Sequence, residues 1–435
     1  MKSIRALGGL LLAATTLLTA CGGGGSDPNG LFKASDIDAS TSAVGAQQLT
    51  GRAMCDVQVE HLSYSTLDPQ GRSATATTAL MVPTGSGANC SGARPVLLYA
   101  HGTTTLKSYN MADPMHNPEA FLVMAFYAAH GYVVVAPNYL GYDGSTLPYH
   151  PYLNAGVQAR DMVDGLRASL TQLGAASGTT SSGRIVIAGY SQGGHVAMAT
   201  HRLIESTYAS EFNVVAAGPM SGPYNLVKFG NAVVGGDINI GATLFMPYLL
   251  TSYQNAYGNI YTTPSQAYQA PFDKTAPTLF PTDTPVATLM AEGALPNDPT
   301  FKLLFGAGGL LTETFRDSYQ GSAFQAALAA NTLLGWTPKA PVTLCGGDQD
   351  PTVFFFNATD MQADFATRNV MVPVFDLEDR ASLPAGIDAD AIYAAFQTAK
   401  AISGDKAAAR YHGELVPPAC YALMRGFFAQ ALGGS

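Results

Sequence analysis

The chain of 435 residues is poor in charge: Asp, Glu, Lys and Arg make up only 12% of it. Its 22 basic side chains are outnumbered by 31 acidic ones, and a net charge of −9 leaves no basic stripe on which a nucleic acid could dock. The sequence holds no Cys-x-x-Cys and no His-rich cluster, which excludes the usual thiolate and imidazole metal sites; no motif implies a cofactor either. It has no internal repeat, so solenoids and propellers are set aside. After residue 20 no apolar run reaches the roughly 20 residues that a bilayer-spanning helix needs. With 47% hydrophobic residues the remainder has material for one large core, or for a core and a cap.

What is present begins at the amino terminus. Lys2 and Arg5 precede an apolar stretch from Ala6 to Leu18, the layout of a signal peptide over residues 1–20. Leu18-Thr19-Ala20-Cys21 resembles the lipobox of bacterial lipoproteins, in which the cysteine is lipidated and becomes the first mature residue. The expectation is an exported lipoprotein, held through Cys21 on a membrane in the periplasm or at the cell surface. Ordinary secretion with a chance cysteine is the alternative. Residues 21–45 are expected to form a flexible tether, because Gly22 to Gly25 and the Ser26-Asp27-Pro28-Asn29-Gly30 that follows cannot bury a core.

Setting Cys21 aside leaves Cys55, Cys90, Cys345 and Cys420, an even number in a compartment where disulfides persist. Four cysteines allow three pairings. Cys55 with Cys90 and Cys345 with Cys420 is preferred, because the first pair brackets a hairpin and the second joins two loops expected to carry chemistry.

Val57 to Ser65 and Ala74 to Val82 alternate apolar and polar residues around Asp68-Pro69-Gln70-Gly71, as an antiparallel hairpin with one wet face would. Pro95 to Ala100, Tyr132 to Ala136 and Arg184 to Ala188 are continuous apolar runs, the mark of parallel strands covered on both faces. Between the last two, Met162, Val163, Leu166, Leu170 and Leu173 recur at helical spacing and supply the crossover helix that a parallel connection requires. Pro341 to Leu344 and Val370 to Phe375 complete the series. The predicted fold is α/β, a mostly parallel central sheet flanked by helices. Its core spans 46–221 and 338–435, and residues 222–337, where the composition turns to Tyr, Phe, Leu, Met, Asn, Thr and Pro, form an inserted cap.

Gly189-Tyr190-Ser191-Gln192-Gly193 follows one of those strands and opens a helix, the setting of a nucleophile elbow. Ser191 is the candidate nucleophile. A hydroxyl needs a base to take its proton, and a neutral imidazole does so near pH 7. His195 and His201 lie on the helix that follows, so the base expected later in the chain is His412, read as a loop residue before a final apolar helix. The acid should follow the strand ending at Leu344, where Asp348 and Asp350 both stand; the Gly-x-x-Asp-x-x-Val spacing favours Asp350, with Asp376 and Asp379 as outsiders. The turn beginning His101-Gly102-Thr103 follows the first central strand, so Thr103 and Gln192 are the candidate oxyanion donors. His101 itself is expected to bond loop backbone.

Taken together, His101-Gly102-Thr103-Thr104, Asn138-Tyr139-Leu140-Gly141-Tyr142, His150-Pro151-Tyr152-Leu153, Gly189 to His195, Asp350 and His412 resemble the secretory lipases of the lipase A type, within the α/β-hydrolases. The resemblance implies an α/β-hydrolase fold with a cap between nucleophile and acid, a triad of Ser191, Asp350 and His412, and action on small-molecule or lipid carboxylic esters of fairly hydrophobic acids. Asn138 stands where an acidic residue is expected, the lipobox is foreign to the fungal members, and residues 222–337 carry no motif that matches. Two other classes remain open: a serine peptidase using the same triad, for which the cap offers no clustered carboxylates to capture an amine, and a non-catalytic binding lipoprotein on the same scaffold.

Overall fold

A computed structural model describes residues 30–43, 45–176, 178–385 and 388–433. The expected signal peptide, Cys21 and the first part of the tether lie outside the described residues. Among those described, nine strands form one sheet in the order β1-β2-β3-β5-β4-β6-β7-β8-β9. They are β1 (Leu31–Phe32), β2 (Asp56–Leu67), β3 (Ser73–Thr84), β4 (Gly92–Ala100), β5 (Val133–Pro137), β6 (Thr179–Tyr190), β7 (Asn213–Met220), β8 (Leu344–Gly346) and β9 (Val374–Asp376). From β5 through β9 every pairing is parallel, whereas β1, β2 and β3 add antiparallel strands at one edge.

Side chains on a strand alternate between faces, so a continuous apolar run must bury both. In β4, Leu97 and Tyr99 enter one core, shared with helices α1 (Pro118–Phe126), α8 (Ala389–Ser403) and α9 (Val416–Ala431). Val96, Leu98 and Ala100 enter the other, with α2 (Ala155–Ala176), α3 (Gln192–Leu203) and α7 (Phe356–Ala366). β5 and β6 divide in the same way. In the crossover helix α2, Met162, Val163, Leu166 and Leu173 are buried as their spacing predicts, and Leu170 is half-buried.

The structure departs from the sequence reading at three points. The tether does not run to residue 45: β1 pairs with β2, a helix covers Ala34–Ala43, and Phe32 and Ile37 are buried. Burial of Phe32 and Ile37, with the bonds from Ala34 N–H to Asp56 and from Ala53 N–H to Asp38, docks a segment that its glycine-rich start makes look unstructured. The last two strands lie further along than the apolar runs at 341–344 and 370–375, because their pairing begins only at Leu344 and Val374; Val342 contributes one isolated bridge, to Ala217. β7 is an element the sequence reading did not single out, since Gly218 and Pro219 interrupt its apolar run.

Between β7 and β8 the chain leaves the sheet and builds its own apolar core around α4 (Leu226–Gly235), α5 (Ala242–Tyr257) and α6 (Ala323–Asn331). Tyr152 and Leu153, from the loop after β5, join that core. Disulfides link Cys55 to Cys90 across the open end of the β2–β3 hairpin, and Cys345 on β8 to Cys420 on α9. No helix among the described residues is long and apolar enough to cross a membrane.

Candidate active site

Ser191 occupies the turn between β6 and α3 with φ 58° and ψ −121°, a left-handed conformation that L-residues rarely adopt. Its N–H donates to Met220 O at the end of β7, 3.0 Å away. Both flanking glycines are required sterically. A Cβ on Gly189 would stand 2.1 Å from Gly193 O, and one on Gly193 would stand 1.9 Å from Ala100 O. The turn therefore lifts the serine off the carboxyl end of the sheet while the helix packs close behind it.

Ser191, His412 and Asp350 form one hydrogen-bonded line. His412 Nε2 is 2.7 Å from Ser191 Oγ, and His412 Nδ1 is 2.6 Å from Asp350 Oδ2. The other oxygen of Asp350 accepts the N–H groups of Thr352 and Val353 at 2.9 and 3.1 Å. Those bonds fix the carboxylate, so its free edge faces the imidazole. Asp348 is exposed and its N–H donates to Asp376 Oδ1, so of the two candidate acids only Asp350 meets the histidine. His412 is not in a loop. It sits in a widened helical turn, Tyr411–Leu415, continuous with α9. Pro417 and Pro418 suggested a helix start, but the chain ahead of them is helical too.

The N–H groups of Thr103 and Gln192 meet no acceptor among the described residues, and Gln192 is the first residue of α3, where helix N–H groups lack intrahelical partners. The N–H of Gly102 is committed to Glu119 Oε1 at 2.9 Å. Glu119 also accepts Tyr99 and Tyr109 hydroxyls at 2.7 and 2.8 Å, and so pins the 102–103 turn from α1. Sequence reading missed Glu119; a lone acidic residue at the head of the apolar run Ala120 to Phe126 was the available signal. The Gln192 side-chain amide donates to His150 Nε2, 2.6 Å away, while His150 Nδ1 donates to Leu140 O. Burial pulls the His150 pKa down to about 3, so it stays a neutral acceptor. His101 bonds loop backbone as expected, with ring nitrogens 2.8 Å from Gly102 O and 3.1 Å from Asn138 O. Asn138 accepts Met111 N–H and donates to Thr77 Oγ1, a pairing for which its amide supplies both polarities. His195 is turned toward Asn331 O and His201 toward Glu205, both remote from the line.

From Ser191 an apolar cleft runs beneath α4 and α5, and no Asp, Glu, Lys or Arg lines it. On α5, Phe245 and Leu249, one turn apart, face it together with Met246, whereas Leu244, Tyr248, Leu250 and Tyr253 are spent on the segment's own core. The aromatic and aliphatic run that the sequence presents as one surface is thus two faces of a helix. The same segment is bonded to both site loops. Thr282 N–H donates to Thr105 O at 2.8 Å, Ser108 N–H to Asp283 Oδ1 at 2.8 Å, and Tyr248 Oη to Thr104 O at 2.7 Å. On the other side Ile240 N–H donates to Pro351 O and Asn239 Nδ2 to Thr352 O.

Comparison with known proteins identifies the family to which this fold belongs. Residues 97–393 match the model of the alpha/beta hydrolase family. The rice cell wall degrading esterase LipA from Xanthomonas oryzae superposes with a TM-score of 0.70 at 32% identity, over 80% of this chain and 88% of that one. A mutant form of the same esterase gives 0.76 at 29% identity, over 92% and 96%. Candida antarctica lipase A shares the fold, with a TM-score of 0.54 at 13% identity over 78% and 73%. No match is found among curated proteins.

Proposed function

The chain belongs to the alpha/beta hydrolase family, and from that premise we propose that it is a serine esterase of the lipase A type, cleaving carboxylic esters of uncharged, short-to-medium acyl groups. One observation carries this reading: the Asp350–His412–Ser191 line opens onto a cavity lined without a single charged residue. An apolar acyl chain gains by leaving water there, while a charged one would be buried without a partner. Similarity to an esterase at 32% identity supports ester over amide chemistry.

In this mechanism Ser191 Oγ attacks the ester carbonyl carbon as His412 Nε2 takes its proton. Asp350 accepts the Nδ1–H and stabilises the imidazolium that forms. The carbonyl oxygen becomes an oxyanion between the N–H groups of Thr103 and Gln192. His412 then returns the proton to the departing alkoxide, leaving Ser191 acylated, and the same histidine activates water to release the acid. Residues 222–337 serve as the cap that receives the acyl chain. Export and lipidation at Cys21 complete the proposal, and would bring the enzyme to membrane-borne or extracellular esters.

The test is turnover of p-nitrophenyl esters of graded chain length beside an aminoacyl p-nitroanilide, with covalent capture of a fluorophosphonate located by peptide mass. The expected result is ester turnover, a label on Ser191 and an inert anilide. Faster cleavage of the anilide would make the protein a peptidase. No turnover and no label in folded protein would make it a binding protein.

A further inference from the structure

The base sits where a helix has run out of donors. Val416 N–H bonds back to Tyr411 O, five residues earlier, which widens the turn. An ordinary α-turn would have directed that N–H to His412 O instead. The next donor within reach would come from residue 417, which is a proline with no N–H. Both helical donors thus miss the carbonyl of His412, and the hydroxyl of Tyr190 donates to it instead.

Tyr190 is the residue immediately before the nucleophile, so this bond ties the main chain of the base to the elbow itself. Its ring is buried, tilted against the His412 imidazole with centroids 5.2 Å apart, and set edge-on to Tyr421 at 6.3 Å. Burial pushes the phenol pKa well up, so Tyr190 remains a donor throughout the working range of an esterase. The bond from Asp350 orients the imidazole about its own axis but does not engage the backbone carbonyl of His412. That carbonyl is held by the hydroxyl of Tyr190, with the Tyr190 ring packed beside the imidazole.

We propose that Tyr190 is a positioning residue for His412: by holding the His412 carbonyl it keeps Nε2 in reach of Ser191 Oγ. The inference rests on the esterase reading for its kinetic consequence, but the geometry is independent of it. Loss of the hydroxyl would let the base drift by a fraction of an ångström, and misplacement of about 1 Å costs up to about 100-fold in rate.

Tyr190→Phe removes the hydroxyl and keeps the ring. Tyr421→Phe is the matched control, since it also deletes a buried hydroxyl, one that pairs with Tyr99 and not with the base. We expect Tyr190→Phe to lower kcat by about 10- to 100-fold with KM changed less than about twofold, and Tyr421→Phe to leave both within about twofold. The downfield proton resonance of His412 Nδ1–H, which needs no substrate, should broaden or move upfield in Tyr190→Phe and stay in place in Tyr421→Phe. An unmoved resonance, or equal kcat losses in the two variants, overturns the inference. If the wild type turns over no ester, the esterase reading fails while the resonance still decides the role of Tyr190.

Discussion

The sheet and the helical segment between β7 and β8 solve the same packing problem with different residues. The sheet buries Val, Leu, Ile and Ala on both faces and carries Ser191 and Asp350 in turns at its carboxyl edge, with His412 in the widened helical turn beside them, each held by named hydrogen bonds. The segment buries Tyr, Phe and Leu in its own core and turns Phe245, Met246 and Leu249 to the cavity, with no ionisable group on that wall. Directional bonds define the first, and they tolerate almost no change of atom type. Non-directional contact defines the second, and it tolerates change of shape at a graded cost. Chemistry should therefore fail abruptly on one side of the molecule, and selectivity should drift on the other.

The largest effect expected is on the sheet side. Ser191→Ala and His412→Ala should lower kcat by at least about 10⁴-fold, and Asp350→Asn by about 10⁴-fold, with thermal unfolding little changed. Asp348→Asn should stay within about threefold of wild type, because its side chain is exposed and does not reach the imidazole. An inactive Asp348→Asn beside an active Asp350→Asn would falsify the acid assignment.

The disulfides sharpen the contrast between folding and chemistry. Closing loops of 35 and 75 residues is worth about 4 kcal/mol each in the chain-entropy model. Cys55→Ser and Cys420→Ser should each depress the unfolding temperature. Only Cys420→Ser should also lower kcat in folded enzyme, because Cys345–Cys420 joins the strand before Asp350 to the helix after His412. Equal activity in the two variants at a temperature where both are folded would count against that link.

Acid should act on the sheet side first. Desolvation pulls the pKa values of His130, His150 and His195 down to about 4, 3 and 4 and lowers that of buried His101 too, whereas residues 222–337 contain no histidine. A depressed pKa gives stability that is present above the unfolded value, about 6.5, and is lost as pH falls through the folded value. Asp161 works in the opposite sense: burial raises it to about 7, so its contribution is present below about 3.9 and is lost as pH rises through about 7. Counting only His130, His150, His195 and Asp161, near pH 5 the unfolded chain holds about three extra protons on the histidines and lacks one on Asp161. The net of about two gives a fall of roughly 3 kcal/mol per pH unit on acidification. Thermal unfolding at pH 7.5 and 5.0, with amide exchange resolved by peptide, would measure it; a flat profile would refute the account.

The smallest effect, a change of preference rather than of rate, belongs to the helical segment. Phe245→Asn or Leu249→Asn should shift the optimum among neutral acyl esters, and anionic or cationic acyl groups should remain poor substrates of the wild type. A chain-length profile unmoved by either substitution would remove the cavity from the specificity argument.

How much of this was readable in the chain follows from how far apart the interacting residues lie. The elbow is legible because five consecutive residues enforce it, and the double apolar faces of β4, β5 and β6 are legible because each strand carries its own pattern. Asp350 is preferred to Asp348 on motif spacing alone, because the bonds from Thr352 and Val353 that fix its carboxylate are not encoded in composition. Tyr190 was missed because its partner lies 222 positions away. β7 was hidden by Gly218 and Pro219, and the docking of residues 31–43 by the glycines before them. In residues 222–337 no periodicity separates the helix face that packs inward from the face that lines the cavity, and only the position of α5 above Ser191 does.

The bonds from Thr282, Asp283 and Tyr248 to the 104–108 turn bear on how such enzymes can be recombined. A laboratory exchange of residues 222–337 for the corresponding insert of another hydrolase would remove, along with the apolar cavity wall, three of the contacts that hold the strand-to-turn junction beside Thr103. A chimera built at the obvious boundaries should then suffer in turnover even when its new cavity fits the ester well. Carrying residues 103–108 across with the insert should restore it, which makes that short turn part of the transplantable unit.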